Sequence, residues 1–77
     1  MKNKSKSTEI NICRLIWSNI RRFQYLEGMT DERLAEALGI TTRTLYDYNK
    51  DPSKISLDKI QSFVEDTNYD VDNLLAK

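Results

Sequence analysis

Apolar residues recur every three or four positions through the first third of the chain, which is the spacing of one face of an α-helix. Ser7 or Thr8 is placed to cap the start of this helix. Gly28 is placed to end it, because glycine adopts the left-handed backbone conformation at little cost. Trp17 lies on the apolar face and is predicted to belong to the core and not to a stacking platform for bases. The apolar positions are Ile10, Cys13, Ile16, Trp17, Ile20 and Phe23.

Two shorter helices are predicted next. Thr30 caps the first of them, and Gly39 ends it. Thr41 caps the second, and the Asp51-Pro52 pair ends it, since proline disfavours helix at the residue before it. The inner faces are predicted to hold Leu34, Ala35 and Leu38 in the first of these helices, and Leu45 and Tyr48 in the second.

The last part of the chain predicts a fourth helix and a final helical turn. Ser56 caps the fourth helix, the segment at residues 67–70 breaks it, and Asp70 or Asp72 caps the last turn. No stretch alternates polar and apolar residues as a strand would. The sequence therefore predicts an all-α fold, a compact bundle of about five short helices over residues 8–77, preceded by a flexible basic arm at residues 1–7. The predicted inner positions of the fourth helix are Leu57, Ile60, Phe63 and Val64, and the last turn is marked by Val71, Leu74 and Leu75.

The run from residue 30 to residue 50 has the features of a helix-turn-helix unit, two short helices joined by a tight turn that contains glycine. Ala35 is placed where the two helices cross, so a larger side chain would push them apart. Gly39 follows four residues later, where the turn needs a positive φ. Ile40 is predicted to anchor the turn in the core. The outer side of the second helix, residues 41–50, is predicted to carry Thr42, Arg43, Tyr46, Asp47 and Lys50.

The charges are unevenly distributed, although the chain has 12 basic and 12 acidic residues. Residues 1–22 contain six basic side chains and one acidic side chain. Residues 23–77 contain six basic and eleven acidic side chains, so the two parts carry net charges of +5 and −5. A basic end of this kind is suited to meet phosphate. A solvated lysine tail that keeps the protein soluble explains the same distribution, and charge alone leaves both interpretations open.

Catalytic and metal-binding chemistry has few residues to use. The chain has no histidine, and its one cysteine, Cys13, excludes an internal disulfide and a zinc-binding thiol cluster. Cys13 is interpreted as a small apolar residue on a helix face and not as a redox sensor or nucleophile. We therefore predict that the protein is not an enzyme and has no catalytic residues, cofactor, metal site or small-molecule ligand.

No membrane or secretory segment is evident. No apolar run approaches the roughly 20 residues that a membrane span requires. Polar residues follow the lysines at the N-terminus, where a secretory signal would need an apolar block. The sequence therefore predicts a cytoplasmic protein without a membrane partner.

The chain resembles the lambda-repressor-like (Cro/CI, Xre) family of helix-turn-helix DNA-binding proteins over about residues 16–76. Ala35, Gly39 and Ile40 carry the resemblance within the motif. Four flanking segments resemble the family in register: Asn19-Ile20-Arg21-Arg22-Phe23, Met29-Thr30, Ser56-Leu57-Asp58-Lys59-Ile60 and Asp70-Val71-Asp72-Asn73-Leu74-Leu75. The resemblance implies a sequence-specific transcriptional regulator of the phage or plasmid repressor type.

In this family the second helix of the motif enters the major groove of double-stranded DNA, with its N-terminal residues at the base edges. The resemblance thus implies that Arg43 contacts a guanine and that Thr42 contacts a base, a phosphate or a thymine methyl. Tyr46 and Asp47 lie one turn further as base-reading candidates. The candidate phosphate contacts are Thr30, Thr41, Lys50, Arg21, Arg22 and Lys54.

Three positions depart from the family pattern. Asp31 stands where many members have glutamine, so an anion would face phosphate there. Asp47 stands where a polar or basic base-reader is common, and either orients Arg43 through an i,i+4 pair or accepts from a cytosine amino group. Asn49-Lys50-Asp51 replaces the usual glutamate-x-glycine.

A homodimer is expected from the resemblance. Its candidate surface is the C-terminal segment with Val71, Leu74, Leu75 and Tyr69, although these residues equally well close the core. The acidic departures and the neutral net charge support a second hypothesis, a protein-binding adaptor or phage-type inhibitor that uses the same fold without a DNA site.

Overall fold

Five α-helices and one 3₁₀ turn make up the part of the chain that the structure, a computed structural model, describes, residues 11–77. Within these residues there is no β-strand, so the all-α prediction is confirmed for this part. The predicted basic arm at residues 1–7 lies outside the described residues. The helices are α1 (Ile12–Glu27), α2 (Asp31–Leu38), α3 (Thr42–Lys50), α4 (Leu57–Thr67) and α5 (Val71–Leu74), and the 3₁₀ turn is Pro52–Lys54.

Most helix ends follow the predicted local chemistry. Gly28 and Gly39 end α1 and α2 with left-handed φ angles of 67° and 73°. The Thr30 side chain accepts a hydrogen bond from the Arg33 amide, and Asp70 caps α5 by accepting from the Asp72 amide. These side chains satisfy amide groups that have no partner inside the helix.

Two helix starts differ in detail from the prediction. Helix α1 begins at Ile12, and its cap is Asn11, whose side chain accepts from the Arg14 amide at 3.1 Å. The predicted caps Ser7 and Thr8 lie outside the described residues. Ser56 occupies the cap position of α4 but makes no cap hydrogen bond. Its hydroxyl donates to the Asp58 carboxylate instead.

The core collects the inner faces of all five helices. Ile20, Leu34, Leu38, Leu45 and Phe63 are fully buried, as their helical spacing predicted. Trp17 is 5% exposed, which confirms its assignment to the core, and Cys13 packs partly buried against the same cluster.

Aromatic side chains from different elements contact one another in this core. Trp17 meets Tyr48 edge to face with ring centroids 5.5 Å apart, and Phe23 meets Phe63 in the same way at 5.4 Å. Tyr69 packs on Phe23 at 4.4 Å. Edge-to-face geometry places the positive ring edge against the negative ring face.

Leu57 contradicts the predicted inner face of α4. It is 81% exposed, whereas Ile60 and Phe63 are buried and Val64 is partly buried. Six residues at about 100° each place Leu57 about 120° around the helix from Phe63. When Phe63 points into the core, Leu57 therefore points away from it.

Side-chain hydrogen bonds fix the helices relative to one another. Arg33 of α2 donates two hydrogen bonds to Asp66 of α4, at 2.5 and 3.3 Å. Asn19 of α1 donates to the carbonyl oxygens of Leu74 and Ala76, at 2.7 and 2.8 Å, and so holds the C-terminal segment. No helix within residues 11–77 is both long and apolar enough to cross a membrane.

Candidate nucleic-acid interface

The corner between α2 and α3 is built by three residues. Ala35 is buried where the helices meet, and its carbonyl accepts a hydrogen bond from the Ile40 amide at 2.9 Å. Gly39 supplies the left-handed φ of 73° that closes the turn. A Cβ at Gly39 would meet only the Ser62 hydroxyl, at an ordinary 3.5 Å, so the backbone angle and not a lack of space requires glycine here.

Helix α3 separates its inner and outer residues cleanly. Leu45 and Tyr48 are buried and hold the helix on the core. The predicted outer residues lie within an arc of about 140° on a helix of this pitch. Arg43, Tyr46, Asp47 and Lys50 are exposed, and Thr42 is partly buried.

The first turn of α3 is polar, with Arg43 exposed and with Thr42 and Thr44 partly buried. The Thr41 hydroxyl oxygen accepts from the Thr44 amide at 3.1 Å, and the Thr41 carbonyl accepts from the Leu45 amide. The amides of Thr42 and Arg43 come earlier in the turn and have no intrahelical acceptor. They lie at the positive end of the helix dipole, a place suited to an anion.

The cations of the described residues fall into two groups. Arg33, Arg21 and Lys59 lie within ion-pair distance of carboxylates. In residues 11–77 no ion pair engages the predicted DNA contacts Arg22, Arg43, Lys50 and Lys54. Those four side chains are therefore available to a ligand, whereas Arg21 is partly engaged.

Arg21 is engaged by Asp31, which joins three helices. The Asp31 carboxylate accepts from Gln24 at 2.8 Å, from Arg21 at 3.3 Å and from the Tyr46 hydroxyl at 3.4 Å. The Gln24 hydrogen bond, aided by the charge of Arg21 and the hydroxyl of Tyr46, holds the pKa of Asp31 below its ordinary value. Asp31 is thus a hydrogen-bonded carboxylate that links the end of α1 to the outer face of α3.

Gln24 is a structural residue that was not predicted from the sequence. It is buried, and its side-chain amide also donates to the Met29 carbonyl at 3.1 Å. The available signal was its spacing, four residues after Ile20 on the apolar face of α1. A polar residue at such a position is expected to have a hydrogen-bond partner.

Arg43 and Asp47 are not brought together. They are four residues apart on α3, but no ion pair joins them in the structure of residues 11–77. Of the two roles considered for Asp47, the orientation of Arg43 therefore has no contact to support it, and the contact with a base remains a prediction.

The predicted dimer surface is only partly exposed. Leu74 is fully buried, and Tyr69 is partly buried against Phe23, so these two residues close the core. Val71 and Leu75 remain nearly half exposed. The C-terminal segment therefore offers a smaller apolar surface than its sequence indicated.

Comparison with known proteins gives no independent assignment. No protein-family model, curated protein or solved structure matches the chain.

Proposed function

We propose that this protein is a sequence-specific DNA-binding transcriptional regulator with a lambda-repressor-like fold, which inserts α3 into the major groove. The observation that carries the proposal is the outer face of α3. Arg43 lies exposed and without an ion pair beside the free amides of the first turn, on a helix that the buried Leu45 and Tyr48 anchor to the core. An anchored helix with free donors at its N-terminal end is the arrangement that reads base edges.

The proposed base contacts follow from side-chain chemistry. Arg43 donates to O6 and N7 of a guanine through its two-pronged guanidinium. Thr42, partly buried at the start of the helix, reaches a base edge or a thymine methyl. Tyr46 presents its ring beside them, with its hydroxyl held by Asp31. Asp47 accepts from a cytosine amino group and discriminates against bases that lack one.

The proposed phosphate contacts flank this face. Thr41 and the first amides of α3 bind one phosphate, and Lys50 and Lys54 neutralise others. Arg22 is exposed at the other side of the corner. Arg21 reaches a phosphate only if it leaves Asp31, so we expect it to contribute less than Arg22.

The protein-binding adaptor is the second candidate, and the charge of the described residues favours it. Residues 11–77 contain nine basic and eleven acidic side chains. Asp31 and Glu32 open α2 and Asp47 lies on α3, so carboxylates adjoin the face that would meet phosphate. A protein partner with basic side chains would accept this arrangement without the repulsion that DNA experiences.

A salt series separates the two candidates. Binding of the protein to a pool of random duplex DNA is measured at increasing salt, and the bound sequences are identified. We expect log K to fall by about 0.9 for each phosphate neutralised per tenfold rise in salt. Arg43→Ala is expected to lose sequence preference while keeping most of the salt dependence, and Lys77→Ala serves as the control. Absence of binding at low salt would overturn the regulator and favour the adaptor.

The homodimer stays a prediction, with Val71 and Leu75 as its exposed apolar residues. Two-fold pairing would place the recognition helices about 34 Å apart, one turn of DNA. Sedimentation equilibrium with and without a selected DNA site measures whether the dimer forms in solution, on DNA or not at all.

A further inference from the structure

Helices α4 and α5 leave an apolar groove on the surface. It has a volume of about 310 Å³, and its lining comes from these two helices alone, with no residue from α2 or α3. Leu57 is 81% exposed and Val71 is 46% exposed at this site. The lining residues are Leu57, Ile60, Gln61, Val64 and Val71.

The apolar side chains of α4 in this groove follow the spacing of a helix-binding surface. Leu57, Ile60 and Val64 are three and four residues apart, so they form a stripe along one side of α4. Val71 of α5 closes the groove opposite them. Leu57 is exposed, Val64 is partly buried and Ile60 forms the buried floor of this stripe. An apolar groove with this spacing matches the surface on which an amphipathic helix lies.

The surroundings of the groove are acidic. From Lys54 to Lys77 the chain has five acidic side chains and three basic side chains, and the basic ones are Lys54, Lys59 and Lys77. Glu65 lies at the edge of the groove, because its carboxylate accepts from the lining residue Gln61 at 3.1 Å. Asp70 and Asp72 flank Val71 in the sequence.

These three carboxylates have no ion-pair partner within the described chain. The other two acidic residues of the segment do, since Asp66 binds Arg33 and Asp58 lies 3.8 Å from Lys59. We refer to Glu65, Asp70 and Asp72 as the acidic rim. No ion pair within the described residues neutralises its charge, although Asp70 also caps α5 by accepting from the Asp72 amide.

The acidic rim distinguishes between possible occupants. Two copies of this chain that met groove to groove across a two-fold axis would bring like charges together, which is unfavourable. DNA would be repelled for the same reason. A segment with both apolar and basic side chains satisfies the groove and the rim at once.

We propose that the α4–α5 groove docks a basic amphipathic helix of a partner protein. Apolar side chains of that helix enter the groove between Leu57 and Val71, and its lysines or arginines pair with the acidic rim. This inference does not depend on the activity of α3, because the two surfaces share no residue. It competes with the predicted homodimer, because both would cover Val71. If the protein binds DNA, the same molecule holds DNA on one face and a basic protein on another.

The probe is a synthetic helical peptide of about 14 residues, four turns, with leucine at positions i, i+3, i+4 and i+7 and lysine elsewhere. The control peptide has glutamate in place of each lysine. Binding is followed through the backbone amide signals of the isotope-labelled full chain. We expect the basic peptide to shift the signals of Leu57, Gln61, Val64 and Val71 and to bind about tenfold more tightly than the acidic peptide.

Variants of the rim test the charge argument. Glu65→Lys combined with Asp72→Lys is expected to reverse the preference between the two peptides, and Glu65→Lys alone to reduce it if the double variant folds poorly. Leu57→Glu is expected to abolish binding, whereas Leu26→Glu, at a leucine of α1 that is 66% exposed and outside the groove, leaves it unchanged.

Three outcomes would overturn the proposal. Equal binding of the two peptides would remove the role of charge. Shifts confined to α2 and α3 would place the peptide elsewhere. Concentration-dependent shifts at the groove without peptide, together with a dimer in sedimentation equilibrium, would make a second copy of the chain the occupant.

Discussion

The contact between α2 and α4 and the outer face of α3 both carry an arginine and an aspartate, but they use them differently. Arg33 and Asp66 are 33 residues apart in the sequence and make two hydrogen bonds. Arg43 and Asp47 are four residues apart on one helix and make no ion pair. The first pair holds two helices together. The second leaves both charges exposed, where a ligand and not the fold can satisfy them.

The largest effect should come from removing the support beneath the outer face of α3. Leu45→Ala deletes a fully buried side chain and is expected to lower the free energy of unfolding by about 2–5 kcal/mol. Urea unfolding followed by circular dichroism measures the loss. Tyr46→Ala, the exposed neighbour, should change stability by less than about 0.5 kcal/mol. Equal losses would mean that α3 is not anchored as described.

Replacing each of the two arginines by alanine separates the effect on DNA binding from the effect on stability. Arg43→Ala is expected to weaken binding to a selected DNA site by about 1–3 kcal/mol and to leave unfolding nearly unchanged. Arg33→Ala should lower the stability, because it breaks the contact with Asp66. It should leave DNA binding nearly unchanged, because Arg33 does not lie on α3. Titration of labelled DNA measures the affinity of each variant, and thermal unfolding measures its stability. A similar loss of binding in both would show that charge alone matters.

A smaller effect is expected from the two aspartates beside the proposed DNA interface, Asp31 and Asp47, which should differ in their contribution to stability. Asp31→Ala and Asp47→Ala each remove one negative charge, so both should increase affinity for random DNA at low salt. Only Asp31→Ala removes an acceptor from buried Gln24 and releases Tyr46, so only it should also lower stability, by about 1 kcal/mol. Identical stability of the two variants would show that the contacts of Asp31 contribute nothing to the fold.

The smallest effect is a pH dependence that belongs to the α2–α4 contact. The hydrogen bonds and charge of Arg33 hold the pKa of Asp66 below its ordinary value of 3.8. The stability from this pair is therefore fully present above that value and is lost as the pH falls through the lower pKa of the folded state. Asp66→Asn should flatten the acid side of a Tm-against-pH curve, and an unchanged slope would contradict this assignment.

Features set by neighbouring residues were predictable from the sequence. Glycine at the ends of α1 and α2 and threonine at the starts of α2 and α3 act within a few residues, so their chemistry is local. The outer residues of α3 followed from the same helical spacing.

Features that depend on how the helices pack were missed. The rotation of α4 that exposes Leu57 is decided by where Phe63 fits in the core. The contact of Arg33 with Asp66 and the contact of Gln24 with Asp31 join separate helices. No local pattern distinguishes such residues from other polar residues on a helix surface, except where one interrupts an apolar stripe, as Gln24 does.

The single tryptophan of the chain gives this molecule an internal optical reporter. The Trp17 indole donates to the Asn49 side chain in the last turn of α3 at 3.0 Å, and Arg21 lies over its ring at 5.9 Å. We therefore expect its fluorescence to respond to the position of α3, through Asn49, and to the position of Arg21. A change in emission when a ligand reaches the outer face of α3 would record movement of this helix without any added label.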